Sequence, residues 1–309
     1  MPTGKFKFRT AYGNVGTRQF RGARYGDALS PKFEGLLDLY GGAAAAYSLR
    51  ALSSGWLAGD VVEVRRSSDS ATQDFTASQI TNGDLVAFCG VGDGFVSTWY
   101  DQSGNGNDAT QITTTAQPKI VSAGSLVTGG IDFDGVDDGL ALSGTGLDIF
   151  KNVGYGQVFS VITPDNAGTG SARYFEVAGG VSGARLLLGD SQDFSASARI
   201  GGRRLDADGF QDVGSSTTHG NSETLITGFL NWTDSDAFLY FNGAQVATSS
   251  SFQTDGNTSN TSSAGVYIGG NPIAAFGDFN IKELIIYNTD QSANRAGVES
   301  NINDHYSIY

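Results

Sequence analysis

The sequence predicts an all-β fold, a sandwich of two antiparallel sheets. From residue 118 onward, short apolar and β-branched segments recur and are separated by Gly, Asn, Asp and Ser. Glycine provides 44 of 309 residues and proline only 5, while 39% hydrophobic residues can fill a core, so the composition is rich in turns without indicating disorder. Asn242-Gly243 between two apolar runs is the signature of a type I′ hairpin.

The N-terminal region differs from the rest in charge. Residues 1–32 carry seven cations against the single acid Asp27, so that +6 of the net −13 lies here and −19 on residues 33–309. Aromatic side chains alternate with these cations, which suits docking onto another protein better than binding nucleic acid. We therefore expect an extended basic arm over 1–32 and a single β-sandwich domain over 33–309, with partner contacts made by Lys5, Lys7, Arg9, Arg18, Arg21 and Arg24.

Before the run of strands, the pattern predicts short helices and two strands. Pro31 fits the first position of a helix whose apolar face includes Leu36 and Leu37. The alanine-rich segment 43–52 predicts a second short helix. Val61–Arg66 and Phe95–Tyr100 predict strands, and 67–74 predicts a polar loop.

The remainder predicts strands and one closing helix. Asp290-Gln291-Ser292 caps that helix, and Val298, Ile302 and Tyr306 form its apolar stripe. The predicted strands are 131–133, 139–142, 157–163, 174–178, 185–188, 196–200, 224–232, 237–241, 245–248, 265–268 and 280–287.

Several classes of protein are disfavoured by what the chain contains. Cys89 is the only cysteine and lies in an apolar run, so we expect a buried thiol and no internal disulfide. His219 and His305 are the only histidines, too few for a multi-histidine metal site. Neither a signal peptide nor a membrane-spanning run is visible, so membrane insertion is not expected.

Two acidic turns are candidate cation sites. The first turn offers oxygen ligands suited to Ca²⁺, although the same side chains commonly hold turns by bonding to the backbone. The second turn, Phe133–Asp138, is expected to join two strands as a hairpin, with a cation between the two turns as the alternative. The candidate ligands in the first turn are Asp101, Asn105, Asn107 and Asp108.

Two stretches resemble known families. Gly265–Gly270, followed by Phe279–Asn288 and a closing helix, resembles the end of concanavalin A-like lectin/glucanase (laminin G-like) domains. Segments 46–52, 64–74, 88–89 and 100–107 resemble the catalytic domain of fungal α-L-arabinofuranosidase B. The resemblance implies a concanavalin A-like jelly roll over about residues 43–309.

The resemblance also raises a chemical question. Enzymes of that family are retaining glycosidases, which need two carboxylates roughly 5–5.5 Å apart. The family's acid/base aspartate follows a Gly-Gly pair, and here Gly269-Gly270 is followed by Asn271, whose amide cannot act as a general acid. The nucleophilic glutamate would fall within 195–208, which contains no Glu, with Asp206 or Asp208 as possible substitutes. The sequence therefore predicts that the catalytic pair is lost.

Sugar binding without hydrolysis is then expected at aromatic and backbone positions. Trp99 and Trp232 lie in apolar strands and are expected in the core, whereas Trp56 lies in a glycine-flanked loop. The expected carbohydrate-binding residues are Trp56, Tyr155, Phe210, Gly270 and Asn271.

Three functions follow from these features. The first is a non-enzymatic phage virion protein, a homo-oligomeric decoration, head-fibre or tail-fibre subunit anchored to virion proteins by its arm and presenting a sandwich that binds surface glycan. The second is an active glycosidase of the arabinofuranosidase type. The third is an extracellular polysaccharide-binding adhesin.

Overall fold

The computed structural model describes residues 33–165, 172–179, 184–190, 197–216, 220–271 and 274–309. The predicted basic arm, with its six docking cations, lies outside these residues, as does His219. Residues 34–309 form one compact unit. None of the described helices is both long and apolar enough to cross a bilayer.

Strands dominate the described chain, which confirms the all-β prediction. The helices are α1 (Leu36–Leu39), α2 (Ala77–Thr81), α3 (Asp84–Cys89) and α4 (Arg295–Tyr306). The strands of the first half are β1 (Ala45–Ser48), β2 (Asp60–Arg66), β3 (Thr72–Thr76), β4 (Gly94–Trp99), β5 (Ala109–Thr110), β6 (Lys119–Ser122), β7 (Ser125–Leu126), β8 (Ile131–Asp134) and β9 (Leu140–Leu142). The others are β10 (Tyr155–Pro164), β11 (Arg173–Ala178), β12 (Ala184–Asp190), β13 (Ala198–Gly202), β14 (Gln211–Gly214), β15 (Thr224–Asn231), β16 (Asp236–Phe241), β17 (Ala244–Ser249), β18 (Gly265–Ile268), β19 (Gly270–Asn271), β20 (Ala274–Phe276) and β21 (Asp278–Tyr287).

Nineteen of these strands belong to one antiparallel sheet that has two long runs. One run has the order β17-β16-β15-β10-β21, and the other has the order β14-β13-β12-β11-β18-β9-β5-β4-β2-β3. β8 and β6 join the two runs, because β8 pairs with β21 and β6 pairs with β4. The all-β class is therefore confirmed. Because the two runs are joined into one sheet, the jelly-roll sandwich stays a prediction.

In the main core, β13 of the second run lies against β15 of the first run. Ile200 of β13 packs against Gly228 of β15. A Cβ at position 228 would lie 2.8 Å from a side-chain carbon of Ile200. Trp99 and Trp232 are fully buried in this core, as predicted, and Cys89 is also buried in it. A smaller apolar cluster lies between the first run and α1 and α4, where Val298 and Ile302 pack as the stripe predicted.

The local predictions for segments 43–52 and 67–74 are wrong. Segment 43–52 is strand β1 and its flanks, because Ala45–Ser48 pairs along its whole length with β21 and is buried throughout. Burial in a sheet here overrides the helix preference of alanine. The predicted loop 67–74 contains part of β3, which pairs with β2, and α2 and α3 follow it without having been predicted.

Candidate active site

The second acidic turn does not form the expected hairpin. β8, before the turn, pairs with β21 and β6, whereas β9, after it, pairs with β18 and β5. The turn therefore crosses between neighbouring parts of the sheet and brings Asp137 and Asp138 beside the end of β18. The reason is that each flanking strand has a partner elsewhere, which local alternation of residues cannot reveal.

The carboxyl groups of this turn lie close together. One oxygen from each of Asp134, Asp137 and Asp138 lies within 4.8 Å of the other two. The Asp138 carboxylate accepts a hydrogen bond from the Asp134 N–H at 3.1 Å, and the Asp134 carboxylate accepts one from Val136 N–H at 2.8 Å. These bonds fix the turn and hold Asp138, which is 6% exposed, against the protein interior.

Burial raises the pKa of two carboxyl groups here, those of Asp138 and Asp278. Desolvation, with the nearby carboxylates of Asp134, Asp137 and Asp132, raises the pKa of Asp138 to about 7. Desolvation, with the carboxylates of Asp165, Asp132 and Asp134, raises the pKa of Asp278 to about 6. The pKa of Asp138 therefore lies where a side chain can donate and recover a proton near neutral pH.

A cavity of about 260 Å³ opens beside this turn. Its lining includes Asp137, Gly139 and the backbone at Gly270, with aromatic rings from Tyr267 and Phe276. Gln111 also lines the cavity and donates to the Gly139 carbonyl at 2.6 Å. The cavity is near the lower end of the size of small-molecule sites, roughly 300 Å³.

The turn at Gly269 brings Gly270 to this cavity. Gly269 has φ +91°, and a Cβ at this position would lie 2.0 Å from the ring of Phe133, so only glycine fits without displacement. Gly270 is thus the one predicted sugar-binding residue among those lining the cavity. Asn271 follows in β19, and the structure describes its backbone only.

Three other predicted sugar-binding residues, Trp56, Tyr155 and Phe210, do not line this cavity. Trp56 donates its indole N–H to the Asp60 carbonyl at 3.1 Å and packs at the edge of the main core. The Tyr155 ring stacks on Phe229 at 6.3 Å, and Phe210 lies 5.8 Å from the Arg199 guanidinium. None of the three lines the cavity, and their role in sugar binding stays a prediction.

The first acidic turn uses its oxygens to hold itself. The Asp101 carboxylate accepts bonds from the Ala46, Ser103 and Asn107 N–H groups, and Asp108 accepts one from Asp101 N–H. The Asn105 and Asn107 amides donate to the Ala44 carbonyl. This is the turn-holding arrangement weighed against Ca²⁺ in the sequence, and calcium binding there stays a prediction.

Within 195–208, the described acids have structural partners. Asp206 accepts from the Arg185 guanidinium at 2.8 Å, and Asp208 accepts from Leu205 N–H at 2.8 Å. Sequence reasoning missed Glu176 of β11, which is 2% exposed, forms an ion pair with Arg173 and lies directly across from Tyr267. The motif FDGVDD was visible, but nothing local indicated that its acids meet residues about 130 positions later.

The stability of the protein should fall as pH rises from about 4 to about 7. Folded Asp138 keeps a proton that an unfolded aspartate, with a pKa near 3.8, has already lost, so raising the pH favours unfolding across this window. Each unit of difference between the folded and unfolded pKa corresponds to about 1.4 kcal/mol, so the free energy of unfolding falls by at most about 4 kcal/mol. Urea unfolding of wild type, Asp138→Asn and the exposed control Asp234→Asn at several pH values measures it.

The slope should flatten in Asp138→Asn and persist in Asp234→Asn. An unchanged slope in Asp138→Asn would show that the folded and unfolded states bind the Asp138 proton equally.

Comparison with known proteins gives a sequence profile for part of the chain and several solved structures of similar fold. A sequence profile described as "Alpha-L-arabinofuranosidase B, catalytic" matches residues 38–128. No curated protein matches in sequence. Among solved structures, an arabinofuranosidase complexed with arabinofuranosyl-α-1,2-xylobiose superposes with a TM-score of 0.53 at 16% identity, covering 87% of this chain and 64% of that chain.

Two further solved structures of arabinofuranosidases also superpose on most of this chain. One is a GH54 α-L-arabinofuranosidase soaked with a cyclic sulfate inhibitor, with a TM-score of 0.51 at 15% identity. The other is a Glu-to-Gln mutant of a GH54 α-L-arabinofuranosidase soaked with 4-nitrophenyl α-L-arabinofuranoside, with a TM-score of 0.54 at 16% identity. In both, the match covers 87% of this chain, which spans 64% of theirs.

These findings correct the first functional expectation. A non-enzymatic virion structural protein is the wrong interpretation, because the profile match and the structural neighbours favour a glycoside hydrolase. That expectation depended partly on Asn271, which stands where the family has its acid/base aspartate, and it did not consider Asp137, which lines the cavity at Gly270. The chain is similar over residues 38–128 to a sequence profile of the α-L-arabinofuranosidase B catalytic region, and over most of its length it is similar in fold to solved arabinofuranosidases.

Proposed function

We propose that this protein is a glycoside hydrolase of the α-L-arabinofuranosidase type that works at the Asp137–Asp138 turn. The observation that carries the proposal is the Asp137 carboxyl group in the wall of a small cavity, with the neighbouring Asp138 carboxyl group, whose pKa is about 7, within 4.8 Å of it. Two carboxyl groups whose environments differ are what a glycosidase needs for its acid and its nucleophile. We propose with it the concanavalin A-like sandwich, supported by the face-to-face packing of β13 on β15.

The two aspartates take different roles in this mechanism. Asp138, protonated near neutral pH, donates its proton to the leaving oxygen of the glycosidic bond. Asp137, which lines the cavity, attacks the anomeric carbon, and water then releases the sugar with Asp138 acting as the base. Their oxygens lie within 4.8 Å, closer to the roughly 5–5.5 Å of retaining enzymes than to the roughly 6.5–9.5 Å of inverting enzymes.

A panel of 4-nitrophenyl glycosides tests the function. We expect the purified full chain to release nitrophenol from the α-L-arabinofuranoside in preference to pyranosides, and ¹H NMR to show a product of retained configuration. An Asp137→Asn/Asp138→Asn double variant, purified in parallel, controls for contaminating enzymes. Hydrolysis of no member of the panel above that control, or an inverted product, would contradict the proposal.

A further inference from the structure

We propose that a second cavity, between α2, the segment after β1 and the end of α4, binds a small ligand with an apolar body and a single carboxylate. This cavity measures about 320 Å³ and shares no lining residue with the cavity at Gly270. Its walls are mostly aliphatic, with Leu49, Ile80, Leu126 and Val127 among them. Such walls suit a hydrocarbon better than a sugar, whose hydroxyl groups would find few partners.

The polar side of the cavity gathers around the half-buried phenol ring of Tyr306. The Lys282 ammonium lies 5.5 Å from the centre of the Tyr306 ring, and the Arg50 guanidinium lies 5.7 Å from it. The His305 ring meets the Tyr306 ring edge to face at 4.5 Å. All four side chains line the cavity, so a bound molecule meets two cations and an imidazole at one place.

The charges around the cavity favour a monoanion over a dianion. Arg50 donates to both Glu283 oxygens, at 2.7 and 2.9 Å, and Lys282 forms an ion pair with Glu223. Because each cation has its own carboxylate, the four groups sum to zero charge and would not compensate a doubly charged phosphate. A lysine ammonium has three N–H donors, so the ion pair with Glu223 leaves donors for one ligand carboxylate.

The side chain of His305 also favours a ligand with a single carboxylate. Among the described residues, neither nitrogen of His305 has a hydrogen-bond partner. Desolvation first, and then the positive charges of Arg50 and Lys282, lower the pKa of His305, whereas Glu283 opposes them. The positive charges thus outweigh Glu283 at the imidazole, and a carboxylate bound there would be attracted.

Benzoate is the probe for this site, and benzyl alcohol is its neutral counterpart. Isothermal titration calorimetry on the full chain gives the affinity, and ¹H NMR follows the imidazole of His305. The chain has only two histidines, so His305→Gln assigns the signal. We expect benzoate to bind more tightly than benzyl alcohol and to shift the His305 resonance.

Two substitutions separate the charge from the apolar wall. Lys282→Gln should weaken benzoate about fivefold to tenfold without changing benzyl alcohol, whereas Leu126→Ser should weaken both alike. Lys151→Gln is the matched control, since Lys151 also pairs with an acid, Asp148, but lines neither cavity. Asp137→Asn should leave benzoate binding unchanged, which separates this site from the proposed catalytic one.

Several results would overturn the proposal. These are equal affinities for benzoate and benzyl alcohol, an unmoved His305 signal, equal effects of Lys282→Gln and Lys151→Gln, or loss of benzoate binding in Asp137→Asn.

Discussion

Asp138→Asn is expected to lower the hydrolysis of an arabinofuranosyl oligosaccharide about a thousandfold, within the range of general acid catalysis. An amide has no proton to donate to the leaving oxygen. The loss should be much smaller with 4-nitrophenyl α-L-arabinofuranoside, because nitrophenolate leaves without a proton. Steady-state kinetics on the two substrates measure this difference between leaving groups.

Asp137→Asn should behave differently, because a missing nucleophile matters with every leaving group. We expect comparable losses on both substrates, whereas the exposed control Asp234→Asn should retain wild-type rates on each. In wild type, the rate should also fall as pH rises above about 7, where Asp138 loses its proton. Wild-type turnover that survives both substitutions would place catalysis at other acids, with Glu176 the next to test.

Arg185→Leu should lower the free energy of unfolding by about 3–5 kcal/mol, the usual cost of removing one partner of a buried ion pair. Arg185 is 1% exposed, an unusual position for a guanidinium. It donates to Asp206 at 2.8 Å, to the Thr261 carbonyl at 3.0 Å and to the Phe150 carbonyl at 3.2 Å. Leucine would remove all of these bonds at once and would leave the Asp206 carboxylate without its cation.

Urea denaturation at constant pH measures this loss. Arg185→Lys should fall between wild type and Arg185→Leu, because lysine keeps the charge without the planar fork. The comparison variant is Arg66→Leu, which breaks the more exposed pair with Asp69 and a bond to the Phe88 carbonyl and should lower the unfolding midpoint much less than Arg185→Leu. Equal midpoints for wild type and Arg185→Leu would show that the network contributes nothing to stability.

Local pattern was sufficient for many of the strands. Alternating and β-branched runs predicted β2, β10, β15, β16 and β21 to within a few residues. Asn242 and Gly243 adopt φ values of 51° and 76°, as the predicted type I′ turn requires. These features depend on neighbours two or three positions away, which the sequence displays directly.

Prediction of the site from the sequence was only partial. Gly270 was singled out and lines the cavity, but the search for acids followed the resemblance to Asn271 and the segment 195–208. The acids nearest the cavity were seen as a hairpin turn. Whether an acidic turn is solvated or lines a cavity depends on what packs against it, and here that is the end of β18.

The sequence by itself determined the strands, the hairpin turn and the apolar stripe of α4, because these depend on short-range backbone and side-chain preferences. Only the tertiary structure decided that alanine-rich segment 43–52 is a buried strand and that Asp138 holds a proton near neutral pH. Pairing with β21 and removal from water are produced by residues far along the chain. No local pattern encodes the dielectric surroundings of a carboxyl group.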